Sequence, residues 1–291
     1  MTKKQHYVPR MYLKRWKTED GNLFVITKDN QDKKIKKVTI DDSLFYKPYC
    51  YDIILPDGTP WTKNEVEEDL GNFENRHARL LNRIIQCCDN GTIVLNNKEN
   101  RTKDFLEFVY LMVLRSPYYN IPFTLDGVET TVSELDMVLQ QMFGDKWNLY
   151  SRSIVVNSLN NQFLNELLDD LLNKEFPKIF FLKAPDDVSF VTSDNPAMCI
   201  CNKNDIKQPL NKPDSLPVDL IYIPISPRYA SVLIYRDCKQ IPYVKKTVSI
   251  LSKDNVKMFN RMYWKSDNTF TIVSNNKADL IDILKNDLVL F

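Results

Sequence analysis

The chain is short of the residues on which most phosphate-binding and metal-binding folds rely. It has only 6 glycines in 291 residues, too few to expect a glycine-rich phosphate loop, and neither a Walker A pattern nor a dinucleotide fingerprint occurs. Two histidines, His6 and His77, are all there are, so histidine-rich metal centres are excluded by arithmetic. There is no Gly-x-Ser-x-Gly elbow, and no cysteine has a histidine near it in sequence, so no nucleophile triad is indicated. No apolar run approaches the roughly 20 residues a membrane helix needs. The opening Met1-Thr2-Lys3-Lys4-Gln5-His6 has basic residues without the apolar stretch of a secretory signal. The 6 cysteines include the adjacent Cys87-Cys88 and the closely spaced Cys199 and Cys201. That spacing fits neither a zinc knuckle nor a disulfide framework, and it points to free thiols in a reducing compartment, the cytoplasm.

What remains is ordinary for a folded protein: 43% hydrophobic and 26% charged residues, with 14 tyrosines and 15 phenylalanines. Net charge is +1, but residues 1–38 hold eleven basic against four acidic side chains. That local excess suits a polyanion such as nucleic acid or a nucleotide, and it equally suits a solvated lysine-rich hairpin. Arg10 and Lys14 flank His6 and are the candidates for substrate contact. Lys253, Lys257, Arg261 and Lys265 recur every fourth residue, either as a second basic track or as the soluble face of an amphipathic helix.

Periodicity divides the chain into three regions of one expected domain, 1–291. Residues 1–60 read as an extended start, a helical turn or two, and a hairpin from Asn22–Lys28 and Lys34–Ile40. Residues 61–176 are helical. Thr62 and Glu65 form a capping-box pattern before Val66, Leu70, Phe73, His77, Leu80, Leu81 and Ile84. A second helix, with Asn100 as its candidate cap and a second half apolar almost all round, stops at Ser116-Pro117. Further helices are expected over Ser133–Phe143 and Arg152–Lys174. Residues 177–291 are strand-rich with two helices. The fold class is therefore α+β, a helical middle segment packed on a mainly antiparallel sheet.

Several polar residues stand out from this frame. Glu67 and Glu74 are seven residues apart, about 10 Å along one helix face, with Gly71 between them and Ala78 beyond. They form either a solvated acidic strip or a groove able to hold a divalent ion such as Mg2+ or Mn2+. Glu74-x-x-His77 has the spacing of a di-iron ligand pair but lacks the second copy such a centre needs. His77 therefore reads as a hydrogen-bonded core histidine. Arg115, ending a buried helix, must find a partner: a salt bridge to Glu74 or Glu67, or a bound anion. Ser193-Asp194-Asn195-Pro196 is good turn chemistry, and it also places Asp194 and Asn195 where catalytic groups are often displayed.

The segment Gln5-His6-Tyr7-Val8-Pro9-Arg10-Met11-Tyr12-Leu13-Lys14-Arg15-Trp16 resembles the opening of a bacterial family catalogued as domain of unknown function 4238. Glu67 through Glu74 is similar to its paired-glutamate helix, and Leu114-Arg115-Ser116-Pro117 to its arginine-proline helix end. Phe190-Val191-Thr192-Ser193-Asp194-Asn195-Pro196 is similar to its Ser-Asp-Asn-Pro turn. Ile223-Pro224-Ile225-Ser226-Pro227 and Asn260 also lie where that family has a proline turn and a late asparagine. The resemblance implies one domain, an accessory gene pool and a role in phage defence or a toxin system, without an established activity. A pattern so polar, drawn from separated segments, is what a site looks like. The leading expectation is a nuclease-like phosphodiester hydrolase. His6 serves as general acid or base, Glu67, Glu74 and Asp194 bind a metal ion or activate water, and Arg115 and Asn195 hold substrate. The alternatives are a non-catalytic module binding nucleic acid, a nucleotide or a protein, and a buried network that fixes the fold.

Overall fold

The computed structural model describes residues 4–29, 34–48, 50, 65–92, 95, 100–115, 122–125, 128–131, 137, 141, 177–200, 220–235, 248–266 and 269–287. The chain begins with a short strand, β1 (Lys4–His6), and enters helix α1 (Arg10–Leu13) through Pro9, whose extended backbone turns the chain. A 3-10 turn (Lys14–Trp16) follows, as the first segment leads one to expect. The hairpin is β2 (Leu23–Thr27) against β3 (Lys36–Val38), antiparallel with Leu23 opposite Val38. Then β4 (Tyr46–Pro48) returns to pair antiparallel with β1, His6 opposite Tyr46.

Two helices follow. Helix α2 (Glu65–Asp89) buries Leu70, His77, Leu80, Leu81, Ile84 and Cys88 at three- and four-residue steps, the amphipathic spacing of a helix on a core. In helix α3 (Asn100–Leu114) the run Phe105 to Val113 is buried on every side. Asn100, expected as its cap, is its first helical residue. A hairpin, β5 (Pro122–Leu125) and β6 (Val128–Thr131), comes next. The helices expected over 133–143 and 152–174 fall outside the described residues, apart from positions 137 and 141.

The strand-rich region contributes β7 (Lys178–Lys183), β8 (Thr192–Ser193), β9 (Met198–Ile200), β10 (Leu220–Pro224), β11 (Tyr229–Ile234), β12 (Val248–Ile250) and β13 (Thr271–Ser274). They divide between two main sheets. One has the order β12-β7-β11-β10-β9, antiparallel except where β12 runs parallel to β7. The other is β3-β2-β13-β8, wholly antiparallel. In the Ser189–Ser193 stretch only Thr192–Ser193 is strand. Its earlier amides are used elsewhere: Phe190 donates to the Pro227 carbonyl at 2.8 Å, and Val191 to the Asn260 side chain at 3.0 Å.

Period-two alternation explains how the five-stranded sheet is covered on both faces. Phe181, Ile221, Ile223 and Leu233 join the core shared with α1, α2 and α3, and Phe181 packs on Phe105 with ring centroids 5.6 Å apart. Leu182, Leu220, Tyr222 and Val232 join a second core with the two late helices, α4 (Lys253–Lys265) and α5 (Lys277–Asp287). There Tyr222 stacks on Phe259 of α4 at 4.6 Å. Ser252 caps α4, its hydroxyl accepting from the Asn255 amide at 3.3 Å. The fold is α+β, with the middle helices on one face of a mainly antiparallel sheet, and no described helix is long and apolar enough to cross a membrane. Among the described residues, Cys50, Cys87, Cys88 and Cys199 are not in disulfides.

Candidate functional site

The amino-terminal segment and the helix pair α2–α3 meet at Arg115. This residue is 5% exposed, just beyond the last turn of α3, where a bare guanidinium would be costly. Its Nη1 donates to Glu74 Oε1 at 2.9 Å, and its Nη2 to the His6 carbonyl at 2.6 Å. Of the two readings of Arg115, the structure has the salt bridge to Glu74. One side chain thus ties β1, α2 and α3 together.

His6 is buried beside this joint. Its Nε2 lies 3.7 Å from Asp41 Oδ1, and its ring packs at a tilt on Tyr46, 5.5 Å between centroids. Burial and then the positive charge of Arg10 lower its pKa below the ordinary histidine value. The Ile40 main chain, Asp41 and Glu74 pull the other way and are outweighed. The surroundings of His6 therefore favour the neutral imidazole. Arg10, half exposed, grips Asp41 with Nη2 2.9 Å from Oδ1 and 3.0 Å from Oδ2. Lys14 is exposed one turn further on.

Between α1, α2 and α3 lies a narrow cleft lined by Pro9, Met11, Phe73, Glu74, His77, Phe108, Leu111, Met112 and Arg115. The lining follows helix geometry. Positions 73, 74 and 77 share a face of α2, and 108, 111, 112 and 115 recur at three and four residues along α3. His77 is a hydrogen-bonded buried histidine, as expected, with Nε2 2.9 Å from Glu107 Oε1. Arg76 also donates to Glu107, and its Nε lies 3.7 Å from Asp104. Burial would raise the Glu107 carboxyl, but the His77 hydrogen bond and the charges of His77 and Arg76 outweigh it and hold the pKa below the usual range. Sequence reasoning missed Glu107. The signal was present: a lone carboxylate between Leu106 and Phe108 in an apolar helix must have a buried partner.

Asp194 and Asn195 belong to another hub. Both Asp194 oxygens accept from the Phe270 amide, at 3.1 and 3.3 Å, and its own amide donates to the Thr271 carbonyl at 3.0 Å. Burial raises its pKa to about 7, against the main-chain hydrogen bonds of Thr271 and Phe270 and the charge of Lys28. Ser193 Oγ donates to the Asn195 carbonyl at 2.7 Å, and the Asn195 amide returns a bond to that hydroxyl at 3.1 Å. Tyr12 OH lies 2.6 Å from Thr192 Oγ1 and donates to the Pro224 carbonyl at 2.6 Å. Trp16 Nε1 reaches the Phe190 carbonyl at 3.2 Å, and Tyr263 OH the Pro196 carbonyl at 2.5 Å. Asn260 accepts from Val191 and donates to the Ser189 carbonyl at 2.8 Å.

The structure thus brings His6, Glu74 and Arg115 together, with Arg10 beside them. No hydrogen bond or ion pair among the described residues joins that group to Asp194. The side chain of Glu67 lies outside the described residues, and among those described no three histidine, cysteine or carboxylate groups converge on a possible metal position. The late basic stripe is largely neutralised. Lys253 pairs with Asp187 at 2.7 Å, while Lys257 and Arg261 both hold Asp282 of α5, at 2.5 and 3.1 Å.

These features define an α+β protein with a partly apolar cleft lined by His77 and by the Arg115–Glu74 pair, whose arginine also holds the main chain of His6. The model of the family described as protein of unknown function (DUF4238) matches residues 4–278, and the chain belongs to that family. No curated protein and no solved structure matches it.

Proposed function

We propose that the chain is a nuclease-like phosphodiester hydrolase acting on nucleic acid or a nucleotide. The observation that carries this reading is the His6 cluster: a buried imidazole 3.7 Å from Asp41, its main chain tied through Arg115 to Glu74, with a half-exposed arginine beside it. A base that is unprotonated at pH 7 can take a proton from an attacking water. Arg10 is placed to leave Asp41 for a phosphate oxygen, which a guanidinium binds in bidentate fashion. Arg115 acts at one remove, fixing the main chain of His6 and the carboxylate of Glu74. A divalent ion such as Mg2+ or Mn2+ would need ligands beyond Glu74, and Glu67, two turns earlier on α2, is the candidate for one. In this reading the protein works in the cytoplasm, in phage defence or a toxin system.

One observation favours a second reading, a module that binds nucleic acid, a nucleotide or a protein without turnover: six of the nine cleft residues are apolar. Incubation with DNA, RNA and nucleotide pools, with and without Mg2+ or Mn2+, separates the two. Turnover by the wild type is expected to vanish in His6→Ala and Glu74→Gln, with melting temperatures within a few degrees of wild type. Binding without turnover under every condition supports the module. Large stability losses in both variants point to a network that only builds the fold.

A further inference from the structure

His77 borders the cleft, and the mechanism above leaves it unused. We propose that His77, oriented by Glu107, is a second proton-transfer residue of this site and the acid that protonates the leaving oxygen; this rests on the hydrolase reading. Three features separate it from a bystander in the core.

First, the ring is fixed. Phe73 stacks on one side with centroids 6.1 Å apart and 20° between planes, and Phe108 meets it edge-on at 5.6 Å and 68°. Second, only one nitrogen is committed. Nε2 bonds Glu107 at 2.9 Å, and no hydrogen bond among the described residues uses Nδ1, on a residue that lines the cleft. Third, the carboxylate is itself anchored. Arg76 holds Glu107, which keeps it ionised and accepting. A histidine whose second nitrogen is fixed by a carboxylate has a defined tautomer and orientation, the arrangement by which imidazoles move protons in hydrolases. When protonated, the ring is an ion pair with Glu107 and can release the Nδ1 proton while Nε2–H stays on the carboxylate. Glu74 links the two histidines, interacting with His6 through charge and lying one turn before His77 on α2.

The step balances with water as the co-reactant. The water oxygen bonds to phosphorus while its proton passes to His6. The bond from phosphorus to the leaving oxygen breaks, and that oxygen takes the Nδ1 proton of His77. The proton gained at His6 and the one lost at His77 then exchange with solvent.

The test uses the full chain, with dithymidine monophosphate as probe. His77→Asn is expected to lower kcat about 100-fold or more, the usual contribution of a general acid, with KM little changed. Because the acid must be protonated, wild-type kcat falls at alkaline pH, and that fall should disappear in the variant. Glu107→Gln keeps an acceptor in place but removes the charge, so it should fold even where His77→Asn does not. It is expected to lose kcat about ten-fold and to move the alkaline limb, which a merely structural carboxylate would not do. With only two histidines in the chain, imidazole nitrogen NMR can follow each ring separately. The probe should shift the His77 Nδ1 resonance and leave Nε2 bonded to Glu107. Turnover in His77→Asn within two-fold of wild type, or an unmoved alkaline limb in Glu107→Gln, overturns the proposal and leaves His77 as a staple between α2 and α3. If the wild type leaves both the probe and the nucleic-acid pools intact, the hydrolase reading itself falls, which is a distinct result.

Discussion

Asp194 offers a sharp test of the electrostatics, because its environment stabilises the wrong charge state at neutral pH. The carboxyl is 1% exposed, and burial raises its pKa from 3.8 to about 7. At roughly 1.4 kcal/mol per pH unit, a rise of that size corresponds to about 4 kcal/mol. In the unfolded chain the group ionises near pH 4, and in the folded chain near 7. Stability from this group is therefore complete below about pH 4, falls as pH rises, and stays at its lowest above about pH 7. Asp194→Asn removes the titration while keeping an oxygen to accept from the Phe270 amide. The new amide donor needs a partner of its own, which offsets part of the gain. Urea unfolding is therefore expected to show the variant about 2 to 4 kcal/mol more stable than wild type at pH 8. The advantage should shrink to less than half by pH 5. Asp279, whose pKa burial raises to about 6, titrates in both proteins and cancels from the difference. A variant less stable at pH 8, or an advantage that does not depend on pH, would refute the reasoning. Either result would mean that other positive charge compensates the ionised carboxylate in the folded chain.

Arg115→Met removes the partner of both Glu74 and the His6 carbonyl. Denaturation should show a loss of about 2 to 4 kcal/mol, below the extreme for a fully buried pair because Glu74 keeps 23% side-chain exposure. Lys257→Glu with Arg261→Glu turns two ion pairs with Asp282 into repulsions, so the melting temperature should fall while nucleic-acid binding at low salt stays at the wild-type level. Arg10→Ala and Lys14→Ala act on the exposed face. If they contact a nucleic-acid backbone, each should lower the slope of log affinity against log salt by about 0.7 to 0.9, and absence of binding even at low salt would remove nucleic acid as a partner.

Much of the fold was legible where a single period controlled a segment. The β2–β3 hairpin, α2, α3 and α4 lie where apolar spacing places them, because local preference and burial agree there. What was missed depends on pairing at long range. The three-residue strand β4 has no alternation of its own and exists because Lys4 to His6 need partners for their main chain. The edge strand β12 is equally short and presents Ile250 75% exposed, so no burial pattern marks it. At the site, sequence reasoning found Glu74 and Arg115 and named their salt bridge. It dismissed the cleft-facing side of His77 because an apolar stripe says only that a residue points inward. Whether an interior position borders a cleft depends on how two helices pack, which neither helix encodes alone.

The polar residues divide into two hubs with different surroundings. Tyr12, Trp16, Thr192, Asn260 and Tyr263 have nothing to offer a substrate, since all five are buried and engaged with main-chain or hydroxyl groups. Each such bond contributes only about 1 kcal/mol net, but leaving one partner buried and alone costs about 1 to 3 kcal/mol, so the set holds together or fails together. Its effect reaches the cleft through chain connectivity. Tyr12 and Trp16 clamp the end of the amino-terminal segment onto the Phe190–Thr192 stretch and Pro224. Arg115 and β4 hold its beginning at His6. In the hydrolase proposed above, a strand of three residues would place its imidazole closely enough for proton transfer only with both of its ends fixed. The anchor for the segment bearing His6 is thus Phe190, Thr192 and Pro224, and the Ser-Asp-Asn-Pro turn that follows Thr192 is itself fixed by Phe270 and Tyr263.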